Sequence, residues 1–255
     1  FNQDLVGCTF NMSGGTIIIQ SNGGSAGQNL GFKTIATGGT GFTGGTLQIG
    51  NASTPLAEII GITSTMPINN LNVSSVNATA QLQVSDLTIS KNVTIALGTL
   101  STTSFNMLVG GDWTNNGTFT SGTGRTTWTG ASTQNISGPS VTTFNNFTMN
   151  GTGGTALSAP INIAGVLSLT NGLLTTTAVN LLTLFAASSA TGASDASFVN
   201  GPVKKIGNTG FVFPVGKSSN GYQPIGISGP STLTDAFTAE YIRASPSTLG
   251  TTLAP

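Results

Sequence analysis

Residues 45–109 carry the pieces GTLQIGNAST (45–54), PINNLNV (67–73) and DLTISKNVTIALGTLSTTSFNMLV (86–109), and residues 124–184 nearly repeat them. The second copy reads GRTTWTGAST (124–133), TFNNFTM (143–149) and PINIAGVLSLTNGLLTTTAVNLLTL (160–184). Gly50 to Thr54 answers Gly130 to Thr133, Asn69-Asn70-Leu71 answers Asn145-Asn146-Phe147, and Thr99 to Thr103 answers Leu173 to Thr177. A long repeat that holds several short strands points to a solenoid. At roughly three coils per copy, the repeat is expected to bring apolar positions into stacked columns.

The strand signal is a short apolar-x-apolar triplet: Leu71-Asn72-Val73, Leu87-Thr88-Ile89, Val93-Thr94-Ile95, Phe147-Thr148-Met149, Ile161-Asn162-Ile163 and Leu167-Ser168-Leu169. Period two puts the apolar members on one face and Thr, Ser or Asn on the other. Helix formers are scarce, glycines punctuate the chain, and Asn-Gly recurs six times as a turn dipeptide. Strands this short favour an all-β parallel β-helix over a sandwich.

Three regions follow. Residues 1–44 read as an opening coil or cap, because Gly14-Gly15-Thr16-Ile17-Ile18-Ile19 anticipates Gly44-Gly45-Thr46-Leu47-Gln48-Ile49. Residues 45–194 form the β-solenoid with its two long repeats, 45–109 and 124–184; the link between them holds Asp112 and Trp113 as another coil. From Asp195 the strands grow longer and more aromatic, so 195–255 is expected to be a small antiparallel β module with a tail, packed on the C-terminal end of the solenoid.

Charge narrows the function classes. Seven basic and seven acidic residues make up 5% of the 255-residue chain, against about a quarter in ordinary soluble proteins. Residues 126–194 hold none. Dispersed cations cannot track a phosphate backbone, which argues against nucleic acid. The absence of histidine removes the usual general base and the commonest metal ligand. The single Cys8 has no second thiol. Leu5-Val6-Gly7-Cys8 spells a lipobox without the preceding basic and apolar run, so Cys8 reads as a small buried thiol. The most apolar region, 161–187, is too polar for a span of about 20 residues, and no membrane insertion is expected.

Further stretches carry a resemblance: GGDWTNNGTFTSGTG (110–124), TTFNNFTMNG (142–151), LSLTNGLLTTT (167–177), DASFVNGPVKKIG (195–207) and TGFVFPVGK (209–217). These resemble the repetitive β-helical, adhesin-like secreted surface proteins of Bacteroidetes that leave the cell by type IX secretion. The resemblance implies an extracellular, cell-surface location and says nothing of catalysis. The chain ends at Pro255 without the sorting domain of that family, which implies cleavage on export or a longer parent protein.

Catalysis by a β-helix on polysaccharide needs clustered carboxylates. Asp86 and Asp112 are the candidates that coil stacking would align, yet each sits in a turn context where Asp caps backbone donors. We therefore expect no catalytic, cofactor-binding or metal-binding residues and no cofactor. Lys91-Asn92, on paper an isopeptide donor pair, reads as a solvent-facing turn. Trp113 and Trp128 are the candidate glycan-stacking residues, with core packing the competing reading. The function expected is a non-enzymatic surface or fibre protein, an adhesin-like shaft that self-associates through heterologous contacts between identical subunits into a filament or sheath. The alternative is a β-helix that binds or cleaves carbohydrate, with surface polysaccharide as partner.

Overall fold

The computed structural model describes residues 1–3, 9–23, 30–35 and 38–244, with only the backbone of 38–40. Cys8 and the end of the tail lie outside the described residues. The described chain is all-β, a parallel β-solenoid of about 8 turns. Each turn lays one short strand on each of three faces, and the strands of each face pair in parallel with those of the next turn.

Period two in the triplets becomes columns. On the first face the inward column runs Ile17, Leu47, Leu71, Val93, Trp113, Ile136, Leu157, each the in-register partner of the next. On the second it runs Ile68, Ile89, Val109, Trp128, Met149, Leu169. On the third, Phe144, Ile163 and Leu184 lie above one another. All twelve apolar members of the six triplets are buried, none more than 1% exposed. Between columns the intervening residues face out, as in Thr143, Asn162 and Thr183.

The opening segment joins the stack in register, with Thr16 on Thr46, Ile17 on Leu47 and Ile19 on Ile49. Its coil is long, with partners such as Thr34 and Thr65 lying 31 residues apart. Later coils tighten to offsets of 20 to 23 residues.

The long repeat does not close on whole coils. Three coil steps from Leu71 lead through Val93 and Trp113 to Ile136, still on the first face. Phe147, the sequence counterpart of Leu71, lies two faces further on, in the second face beside Leu167. Ile49 and Trp128 stand in the same relation, as do Leu100 and Leu174. The expected three coils per copy are therefore three and two-thirds, and equivalent residues occupy different faces. The local reason is that the corners are interchangeable. Asn69 and Asn70 both donate through Nδ2 to Gly45 O, and Asn145 and Asn146 both donate to Thr123 O, the same stitch at two different corners.

Parallel strands continue past Asp195, with Val199–Asn200 on Leu174–Thr175 and Val203–Ile206 on Leu182–Leu184. Antiparallel strands then close this end. Ala236–Ala239 covers Val203–Ile206, Gly221–Tyr222 covers Val215–Lys217, and Ile225–Ile227 pairs with Phe211–Phe213. Lys217 and Glu240 tie the cap by an ion pair of 2.8 Å. At the opposite end, Thr9–Ile19 pairs only with Gly38–Ile49 among the described strands.

Ile163 tests the column. Ile163→Asp places an uncompensated charge between Phe144 and Leu184 and should cost on the order of 4 kcal/mol or more. The outward neighbour change Asn162→Asp should cost well under about 1 kcal/mol. Urea melts followed by circular dichroism compare the two; equal losses would mean that this register is wrong.

Candidate functional site

The residue types that could carry chemistry are placed by the coil corners. On one corner line, carboxylate and amide side chains each cap the backbone of the next coil. Asn70 Oδ1 accepts from Asn92 N (3.2 Å), Asn92 Oδ1 from Asp112 N (2.8 Å), and Asp112 Oδ1 from Asn135 N (2.8 Å). Asn135 Oδ1 then accepts from Ser158 Oγ at 2.8 Å. A second line runs beside the second face. Asp86 takes both the backbone N (2.8 Å) and Nδ2 (2.9 Å) of Asn106, and Asn106 Oδ1 accepts from Arg125 N at 3.0 Å. The line resumes at Asn146, whose Oδ1 accepts from Val166 N at 3.0 Å.

Asp86 and Asp112 thus belong to different ladders and face no common point. Each is occupied in satisfying a corner amide, the turn role read from their neighbours. Glu58 likewise accepts from Asn22 N, at 2.5 Å. Lys91 and Asn92 form the exposed turn expected of them, with Asn92 engaged in the first ladder.

Trp113 and Trp128 are both fully buried, so neither ring is open to a sugar. Their centroids lie 6.2 Å apart, edge to face, in a cluster with Phe144, which is 5.5 Å from Trp113 and 5.9 Å from Trp128. Period two explains the placement, since both occupy inward positions of their strands. Trp113 Nε1 donates to Thr142 Oγ1 at 3.3 Å, whereas Trp128 Nε1 has no partner. The glycan-stacking reading is corrected to core packing.

Two features were not anticipated. The first is Lys205, which occupies the inward column of the third face above Leu184, with Phe237 opposite on the capping strand. It is 3% exposed, and its Nζ donates to Phe185 O (2.6 Å) and Ala186 O (2.9 Å) while lying 5.5 Å from the Phe211 ring centroid. The signal was present in Val203-Lys204-Lys205-Ile206, where period two sets Lys205 beside Val203 and opposite to Lys204. Burial disfavours the charged amine and lowers its pKa from the ordinary 10.5.

The second is a notch on the corner between the second and first faces. The strand Val166–Asn171 turns into Leu174–Thr175 through residues 172–173 alone, while the neighbouring coils use 151–154 and 192–198 at the same corner. The short corner is recessed between longer ones. Gly172 makes it possible: its φ is 82°, and a Cβ there would run into Gly151 O. The resulting cleft, about 440 Å³, is lined among others by Thr152, Thr155, Asn171, Leu173, Thr175 and Asp195.

No protein-family model matches the chain, and neither curated proteins nor solved structures give a match.

The Lys205 placement has a pH signature. Its folded pKa lies below its unfolded value of 10.5, so the unfolded chain holds more protons between the two. Stability should therefore rise with pH across that window and level off above 10.5. Lys205→Met should flatten the rise in urea midpoints measured over the same range; parallel curves for the two proteins would contradict the burial of the charge.

Proposed function

We propose that this chain is a non-enzymatic structural shaft of an extracellular surface protein, and that copies of it associate side by side. The observation that carries the reading is how the stack uses its carboxylates: Asp86 and Asp112 cap successive coils and Glu58 accepts from Asn22 N, so these three hold backbone amides and do not pair with one another. The outward columns supply a surface of one chemical kind. Thr143, Asn162 and Thr183 follow one another on the third face, and on the second the half-buried Thr127 and Ser168 flank the buried Thr148, all uncharged.

Over these coils such faces offer neutral hydrogen-bonding groups and methyls at the inter-strand spacing of about 4.8 Å, and the third-face column meets a charge only at Lys204, next after Thr183. A contact between different faces of two copies is heterologous and extends into a filament or sheath. The extracellular setting is supported by the resemblance of 107–243 to secreted Bacteroidetes surface proteins and by the scarcity of charge.

Association through neutral faces should be nearly insensitive to salt. Light scattering on the chain across salt concentrations is the test, together with Asn162→Lys/Thr183→Lys, which sets two like charges on adjacent coils of one face. The wild type should assemble at low and high salt, and the double variant should stay dispersed at low salt. A wild type that is strictly monomeric at high protein concentration in both salts would refute the reading.

A further inference from the structure

We propose that the corner notch beside Asn171 binds a neutral saccharide residue, of the hexose or N-acetylhexosamine type. The inference does not rest on self-association and stands or falls apart from it.

The first support is an imbalance of hydrogen bonding. On two of the corner lines Asn and Asp side chains stitch coil to coil, as at Asn70, Asn92, Asp112, Asn106 and Asn146. In the notch they do not. The side chains of Thr152, Asn171 and Thr175 make no hydrogen bond to the protein. Asp195 accepts from Tyr222 N through Oδ1 at 2.8 Å and leaves Oδ2 without a protein donor. Thr155, 1% exposed and lining the same cleft, has an Oγ1 with no partner at all. A buried hydroxyl left unpaired costs on the order of 1–3 kcal/mol. Of the buried side-chain polar atoms without partners among the described residues, Thr155 Oγ1 is the one whose residue lines this cleft.

The second support is the origin of the cleft. The register slips between Met149 and Asn150, leaving Thr170 unopposed, so that Asn150 faces Asn171 just before the two-residue corner. Bulges of this kind re-aim side chains at the ends of strands. Asn171, beside the slip, lines a cleft of about 440 Å³, within the range of small-ligand sites.

The chemistry of the lining selects the ligand. An anion would meet the Asp195 carboxylate, and no lysine or arginine lines the cleft. A metal ion would find one carboxylate, and no group of three His, Cys, Asp or Glu able to hold one occurs among the described residues. A purely apolar ligand would strand the amide and hydroxyls. A sugar ring fits the set. Its hydroxyls donate to Asp195 Oδ2 and exchange hydrogen bonds with Asn171, Thr152 and Thr175, while Leu173 and the Gly153-Gly154 backbone meet its C–H face.

The test is an amide-resolved NMR titration of the full chain with glucose, galactose, mannose, N-acetylglucosamine and their disaccharides at millimolar concentration. At least one probe should shift the amides of Gly153, Gly172 and Asp195 saturably. Asp195→Asn keeps an oxygen for Tyr222 N, and Asn171→Ala removes a side chain that bonds nothing in the protein, so both variants should fold. Each should weaken binding about fivefold or more, consistent with one lost hydrogen bond. Thr183→Ala, on the outward third face, should leave the affinity unchanged. The proposal is overturned if no probe shifts the notch amides, if the shifts fall on other faces, or if both notch variants bind as the wild type does.

Discussion

The structure depends on one spacing: each coil must lie on the last at the distance of hydrogen-bonded strands, about 4.8 Å. That spacing decides what an inward position can hold, since every buried side chain touches its in-register partners above and below. It admits Leu71, Val93, Trp113 and Ile136 in one line because each presents apolar surface to both neighbours. It also governs the corners, where backbone crosses backbone. At Gly122 the φ is 51°, and a Cβ would strike Thr103 O. The polar counterpart is the Asn and Asp ladder, in which a side-chain oxygen replaces the hydrogen bond that a turning backbone cannot make for its neighbour. Each such bond is worth about 1 kcal/mol net, but leaving the amide unpaired would cost more.

These same demands explain what the chain showed in advance. Triplets such as Ile161-Asn162-Ile163 revealed their inward members because alternation is a property of the strand alone, and the burial of Trp113 and Trp128 follows from the same rule. The turn role of Asp86 and Asp112 was legible from flanking Ser85 and Gly111. The antiparallel closure of the C-terminal end was expected from the change of composition beyond Asp195, although the strands there, such as Phe211–Phe213 and Ile225–Ile227, are short and not longer as read. The face on which each triplet lands was not legible. The Asn-Asn stitch works equally at different corners, so the repeat of 45–109 in 124–184 is free to drift by two faces without local penalty. The notch was hidden for a related reason: its recess is a difference between corners on adjacent coils, and Asn171-Gly172-Leu173 alone does not announce it. Lys205 was missed because a lysine pair reads as solvated until the alternation of Val203 and Lys205 is taken literally.

Function follows from how polar groups are distributed. Along the corners many of them are taken by the backbone, as at Asn92 and Asp112, while outward columns such as Thr143, Asn162 and Thr183 are neutral and regular. A surface of this sort suits contact with something equally neutral, whether a second copy against the flat faces or a sugar in the notch. Charge is concentrated where the parallel stack ends, as in the Lys217–Glu240 pair, and there it fastens the cap.

The stacked-coil register is most directly tested by backbone NMR contacts between coils. Parallel cross-strand contacts should link Val93 to both Leu71 and Trp113, and Trp113 to Ile136, with the side-chain protons of Trp128 close to those of both Val109 and Met149. Contacts that instead join neighbouring segments of the chain as antiparallel hairpins, with Trp113 and Trp128 exposed to solvent, would contradict the structure described here.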